Sequence, residues 1–270
     1  MGAHAANVKS TQLRGGSNMN EPLSYTTTVM SWNFLLSSFR NAEAAGSENE
    51  TIDLNLETPS SIVLCGISIE AFCNELSSLS RAFAFAHEKQ HRLLIDDGAG
   101  VDQETLNQLC SLSQDGSGSF YDRYKRVIKL FGEKSPAFLE ELVHLKNLRD
   151  ALVHFRSCDV PIGEGEDGVI RYSQEVPTVL RSLKKKKVSG RELVAVSEDS
   201  EWTLRVSTSA MAIWALNLTC DAILFLLDSL PDKSFKEFVL QAYRPRDTHY
   251  RDLFSKGKSQ VLDWQNQIFV

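Results

Sequence analysis

The stretch "AMAIWALNLTCDAILFLLDSL", residues 210–230, is the most apolar in the chain, and it limits the folds open to the rest. Its length would suffice to cross a bilayer, for which about 20 apolar residues are needed. Yet Asn217, Asp221 and Asp228 interrupt it, at i, i+4 and i+11. On a helix those three positions fall on one narrow stripe of an otherwise apolar cylinder. The pattern predicts the central helix of a bundle, its stripe a line of water contact, and not a membrane span.

The remaining periodicities agree with an α bundle. A helix is expected from about Tyr25 to Ala45. A long one is expected through "TPSSIVLCGISIEAFCNELSSLSRAFAFAHEKQHRLL", with Thr58 as cap and Pro59 in its first turn. Short and medium amphipathic helices follow at "VDQETLNQLCSLS" and "FYDRYKRVIKLFG", the latter ended by Gly132. "SPAFLEELVHLKNLRDALVHFR" is predicted to be helical from a Ser135 cap to Arg156. The 3.6-residue period then stops. Residues 157–203 are Gly- and charge-rich with short β-like pieces at "GVIRY" and "ELVAV", and read as an insertion between bundle helices. Helices resume over about 204–230 and at "SFKEFVLQAYRP", where Ser234 and Glu237 have capping-box spacing. The expected fold is mostly α: a bundle of five to six helices, with a long loop and short-strand insertion before the penultimate helix. Residues 1–20 read as a disordered leader, Met19 being a candidate natural start, and residues 21–270 as a single domain.

Composition narrows the setting. Hydrophobic residues make up 42% and charged residues 24% of 270, the proportions of a globular chain. The formal net charge is -6, so a polyanionic partner would require a local basic patch. Five cysteines occur without a CxxC pair; Cys65, Cys73 and Cys220 lie in apolar helical runs and read as small buried hydrophobes of a reducing, cytoplasmic compartment. HExxH spacing occurs once, in "HEKQH" from His87 to His91. His87 and His91 are i, i+4 but lack an adjacent third ligand, so neither a metal nor a cofactor is expected.

Within "LKNLRDALVHFR", Arg149, Asp150 and His154 are threaded between Leu145, Leu148, Leu152 and Phe155. Arginine followed five or six residues later by histidine also occurs at Arg81/His87 and Arg244/His249, but Ala82 and Pro245 follow those arginines, whereas Asp150 follows Arg149. The Arg-Asp-x-x-x-His run resembles the hallmark of the HEPN superfamily, the higher eukaryotes and prokaryotes nucleotide-binding domain. The layout is similar too, over roughly Thr58 to Leu230: a long early helix, the motif late in the bundle, and one more apolar helix after it. The resemblance implies a metal-independent endoribonuclease whose motif sits at a homodimer interface. It also implies a role as a toxin or antiviral defence effector, with RNA as substrate and a partner or antitoxin protein as a further possibility.

The residue types suit that chemistry. RNA can be cut by attack of its own 2′-OH. An imidazole titrates near neutral pH and can take or give the proton, which assigns acid-base work to His154. A guanidinium binds two phosphate oxygens at once, which assigns phosphate stabilisation to Arg149. Asp150, four residues before His154, is expected to touch and orient the imidazole. On an ideal helix Arg149 and His154 point about 140° apart, a spread that two copies at a two-fold axis would resolve.

Two basic stretches are candidates for RNA contact. "RSLKKKKVSGR" carries Lys184, Lys185, Lys186 and Lys187 within the insertion, either as an RNA-holding arm or as a solvated loop. "YRPRDTHYRDLF" interleaves Tyr243, Tyr250 and Phe254 with arginines, either to stack a single strand or as a tail helix on the bundle. The alternative function is a non-catalytic HEPN-like dimerisation or binding module.

Overall fold

The structure is a computed structural model that describes residues 29–46, 57–89, 100–113, 118–132, 134–154, 162–164, 170–172, 176–195, 201–242 and 249–269. The fold is mostly α. Among the described residues lie ten helices: α1 Ser31–Gly46, α2 Glu57–Lys89, α3 Gln103–Ser111, α4 Phe120–Leu130, α5 Leu139–Val153, α6 Val179–Leu183, α7 Trp202–Arg205, α8 Ser209–Ser229, α9 Ser234–Leu240 and α10 Tyr250–Ile268. Two antiparallel hairpins join them, β1 Ile162–Glu164 with β2 Ile170–Tyr172, and β3 Lys187–Val188 with β4 Arg191–Glu192.

The helix count exceeds the expected five to six, and α8 is followed by two helices rather than one. The excess is physical. Short helices break off where a cap intervenes. Thr208 Oγ1 accepts the Met211 amide at 3.1 Å and donates to the Leu193 carbonyl at 2.7 Å, so α8 starts afresh at Ser209 instead of continuing from α7. The 19-residue α10 absorbs the Tyr250–Phe254 stretch. Three expected caps are displaced as well. Helix α2 begins at Glu57, so Thr58 lies inside its first turn, with a buried hydroxyl that finds no hydrogen bond among the described residues. The cap position of α5 is Phe138, not Ser135, and that of α9 is Lys233, not Ser234. Two real caps went unread: Asp102 accepts the Thr105 amide at 2.6 Å, and Ser119 forms a reciprocal box with Asp122.

The chain forms two compact units, and α1, α2, α8 and α10 contribute residues to both. One unit draws on residues 29–32, 69–135 and 223–255. Its core gathers Phe72, Leu76, Tyr124, Val127, Phe235, Tyr250 and Phe254, all nearly or fully buried. Phe72, Tyr250 and Phe254 stack edge-on or tilted, with centroids 5.3–6.4 Å apart. Of the two readings of that stretch, the tail helix packed on the bundle holds for Tyr250 and Phe254: both rings are in the core, and Tyr243, Arg244 and Arg246 lie outside the described residues.

The other unit draws on residues 33–68, 136–222 and 256–270. Ile62, Cys65, Leu142, Leu145, Leu148, Ile213 and Leu216 are fully buried there. Ser38 donates to the Ser61 carbonyl at 2.8 Å, a buried bond between α1 and α2. Burial pushes the Cys65 thiol up to about 11, and in the first unit the Cys73 thiol up to about 12. Both are unreactive core hydrophobes, as read from their setting. Cys158 lies outside the described residues.

The polar stripe of α8 has partners rather than water alone. In the second unit Asn217 donates to Gln265 at 3.3 Å and Asp221 pairs with Lys258, so α8 and α10 run antiparallel there. In the first unit Asp228 receives a forked pair from Arg251, at 2.5 and 3.1 Å. By length and apolarity α2 and α8 each pass as membrane-crossing helices, but 78% of the α8 window is buried inside the fold, the position of a core helix.

Among the described residues, Glu75 is the one buried carboxyl in the core of the first unit. Its Oε1 accepts the backbone amides of Met30 at 2.5 Å and Ser31 at 2.7 Å, the open N-terminus of α1. Its Oε2 accepts the Ser31 hydroxyl at 2.7 Å and the Tyr250 hydroxyl, from the first residue of α10, at 2.6 Å. Ser31 and Tyr250 also touch each other. Burial pushes the Glu75 carboxyl up, and the bonds from Tyr250, Ser31 and Met30 pull it back only in part.

Glu75→Ala should destabilise the protein by about 3 kcal/mol or more, since several buried donors lose their acceptor at about 1–3 kcal/mol each. Tyr250→Phe should cost about 1 kcal/mol. Because the folded state holds the Glu75 proton more tightly than the unfolded chain does, the stability that Glu75 contributes is greatest at acid pH. It falls as pH rises from the ordinary carboxylate range through the raised value. Denaturant unfolding across that range should show the slope in the wild type and a flatter profile in Glu75→Gln.

Candidate functional site

Helix α5 owes its position to Leu142, Leu145 and Leu148, which turn one face into the core of the second unit. At 100° per residue Arg149 lies only about 40° from Leu145 around the axis, whereas His154 lies about 180° from it. Arg149 is accordingly half-buried at the edge of the core face, and His154 is exposed on the opposite side. The helix also ends sooner than expected. Its last residue is Val153, and His154 is the cap, with φ -97° and ψ 20° and its amide on the Asp150 carbonyl at 2.9 Å. Phe155 and Arg156 lie outside the described residues.

Asp150 does not hold the imidazole. Its carboxylate accepts Arg149 Nη1 at 2.9 Å and pairs with Lys146 Nζ at 3.0 Å, and among the described residues no bond runs from it to His154. Burial raises its pKa, but the bonds from Arg149 and Lys146 outweigh that and hold the carboxyl below its usual range. The expected orienting role of Asp150 toward His154 is thus redirected. Asp150 holds the guanidinium of Arg149 through one charge-assisted bond, its other oxygen being paired with the i, i+4 lysine. The cluster Lys146, Asp150 and Arg149 keeps one net positive charge. Lys146 was the member that sequence reading missed; its i, i+4 spacing to Asp150 was the available signal. Val153, 49% exposed, places an apolar side chain directly beside His154.

The lysine run is ordered rather than an arm. α6 packs on α5, and Lys186 to Glu192 close a tight hairpin. Its two central residues, Ser189 and Gly190, have φ of +47° and +79°, the geometry of a two-residue turn that needs positive φ twice. The Ser-Gly turn signal within "VSGR" was legible and unread. The hairpin docks on α10: Gln265 donates to Ser189 Oγ at 2.7 Å, and the Arg191 guanidinium sits 5.9 Å from the Phe269 ring centre.

The four lysines are not equivalent. Lys186 pairs with Glu141, whose other oxygen accepts Trp214 Nε1 at 3.0 Å, and Lys187 faces Glu192 at 3.5 Å. Lys184 and Lys185 are exposed, as is Arg181. Glu141 lies eight residues before Arg149, so the lysine hairpin is anchored about 12 Å along the α5 axis from the guanidinium. The structure therefore brings Arg149, Asp150 and Lys146 together, leaves His154 on another side of the same helix end, and holds the lysines about two turns away.

Among the described residues no group of three His, Cys, Asp or Glu side chains is placed to hold a metal ion. Comparison of the chain with models of known families, with curated proteins and with solved structures finds no match in any of the three.

Proposed function

We propose that this chain is a metal-independent endoribonuclease of the HEPN type, acting as a cytoplasmic homodimer and serving as a toxin or antiviral defence effector. The observation that carries the reading is the end of α5: a guanidinium held in place by Asp150, one turn from an exposed imidazole, on a helix of a mostly α fold. Arg149 stabilises the phosphate as charge builds on it. His154 takes the proton of the 2′-OH or returns one to the departing 5′-oxygen. The opposed directions of the two side chains call for a second copy, whose His154 meets this copy's Arg149 across a two-fold axis. The exposed Val153 beside the imidazole is suited to that contact.

One observation favours the alternative, a non-catalytic HEPN-like dimerisation or binding module. Arg149 is already engaged by Asp150, and His154 has no carboxylate partner among the described residues. In that reading the same residues are polar contacts of an interface.

Incubating the purified protein with mixed RNA decides between them. Cleavage should survive EDTA and yield 2′,3′-cyclic phosphate and 5′-OH ends, and a single 2′-deoxy sugar at the cut should block it. His154→Ala and Arg149→Ala should each lower the rate about 10² to 10⁴-fold. Asp150→Asn should cost less, its effect being on the placement of Arg149. Full activity in His154→Ala would reject the mechanism. A dimer by light scattering with no cleavage would establish the binding module.

The hairpin makes a separate prediction. Replacing Lys185 with Ser should make the salt dependence of RNA binding shallower, by about 0.7 in slope for a phosphate left without its cation. Replacing Lys186 and Lys187 should change it less, because Glu141 and Glu192 already take those charges.

A further inference from the structure

Among the described residues the second unit holds one buried cation, Arg205, the last residue of α7. It is 7% exposed, and Trp202 and Val206 on the same short helix and its cap are buried with it. Its backbone is tied on both sides. The Arg205 carbonyl accepts the Ala195 amide at 2.8 Å, and its amide donates to the Glu201 carbonyl at 3.2 Å. Its charge is not matched. Nε is enclosed without a hydrogen bond, and among the described residues no carboxylate pairs with the guanidinium. Nη1 and Nη2 are not enclosed in that way, so only the end of the side chain is open. Glu201, four residues earlier, has the spacing of a helical ion pair. It stands before the first turn of α7, however, with φ -50° and ψ 137°, and is exposed.

A guanidinium stays protonated in proteins, and burying a charge without a counter-charge is costly. A bound ion is one physical reason for such a group to persist in a native fold. A second source of positive field is near. Ser209, the first residue of α8, follows four residues on, at most about 14 Å along the chain. Thr208 takes the Met211 amide on its hydroxyl and the Ala212 amide on its carbonyl, each at 3.1 Å. Among the described residues no bond reaches the amides of Ser209 and Ala210, and Ala210 is itself buried. The open start of a 21-residue helix favours an anion.

We infer that Arg205 is the receptor for a terminal phosphate group, free or carried by a small molecule. Its open end, Nη1 and Nη2, is a fork that binds two oxygens of one anion. A dianion answers both the guanidinium and the start of α8. A receptor this enclosed admits the end of a molecule, whereas an internal phosphodiester is flanked by a sugar on each side. Arg205 plays this part whether or not the α5 motif cuts RNA.

The test is isothermal titration calorimetry of the full chain with inorganic phosphate at constant ionic strength. Arg205→Met should weaken phosphate binding about 100-fold, the loss of a charge-assisted pair. Arg205→Lys keeps the charge but not the fork and should weaken it about tenfold. Should Arg205→Met fail to fold by circular dichroism, Arg205→Lys carries the test. AMP separates the two sources: binding through Arg205 upholds a carried phosphate, and failure beside bound inorganic phosphate upholds a free one. Wild-type affinity in both variants overturns the site, as does absence of phosphate binding by the wild type at millimolar concentration. Acetate binding as tightly as phosphate overturns the choice of anion. A single-stranded RNA with hydroxyl ends should bind wild type and Arg205→Lys alike; if the variant loses RNA and keeps phosphate, the terminal-group reading is overturned. Glu198 and Asp199 of this chain lie outside the described residues. Phosphate that binds E198Q/D199N but not the wild type would assign the guanidinium to those carboxylates and overturn the site. His154-dependent cleavage should be unchanged in Arg205→Lys.

Discussion

A single carboxyl group, that of Glu75, fastens three helices at the centre of one unit. It sits within α2, yet its bonds are to the opening amides of α1 and to the first side chain of α10. Helix N-termini leave amides without intrahelical partners, and burying them unpaired is costly. Glu75 acts as a cap supplied from a distance of 44 residues. The start of α1 at Ser31, rather than near Tyr25, coincides with that cap. The aromatic cluster of Phe72, Tyr250 and Phe254 closes around the same point. It keeps water from the carboxyl and so makes its hydrogen bonds necessary.

The second unit uses a different device. Its polar groups are paired along the seam of α8 and α10, where Asn217 and Asp221 meet Gln265 and Lys258. These pairs are partly exposed, so their value lies less in stability than in register. An apolar helix as uniform as α8 could slide or rotate against neighbours, whereas a hydrogen bond and an ion pair accept one alignment. The lysine hairpin is tied to the same α10 by Ser189 and Arg191, which converts a basic loop into a fixed surface.

The geometry of α5 sets the terms for any chemistry there. Three buried leucines fix the helix rotation, and that rotation decides which side chains meet solvent. Arg149 inherits the edge of the core and gains Asp150 as a partner; His154 inherits open water at the helix end. One copy of the chain thus presents the guanidinium and the imidazole in different directions. In the function proposed above, a dimer is the arrangement in which both would work on one substrate.

The α class, the long helices α2 and α8, the insertion with its β2 strand and the buried cysteines were legible in the sequence. Each rests on local period or composition, which a chain carries with it wherever it folds. Asn217, Asp221 and Asp228 were legible as a stripe, but their partners were not, because Gln265, Lys258 and Arg251 are distant in sequence and α10 was read only as one option for the tail. Arg149, Asp150 and His154 were legible as a candidate set. Which of them Asp150 would hold was decided by helix rotation, by the early end of α5 at Val153 and by the competing Lys146. Ser135, Thr58 and Ser234 had the right chemistry for caps, but tertiary packing placed the helix starts elsewhere. Glu75 gave no sign at all. A glutamate in an amphipathic run is ordinarily a surface residue, and only the arrival of α1 and α10 at the same point of α2 makes it the acceptor that one unit's core is built around.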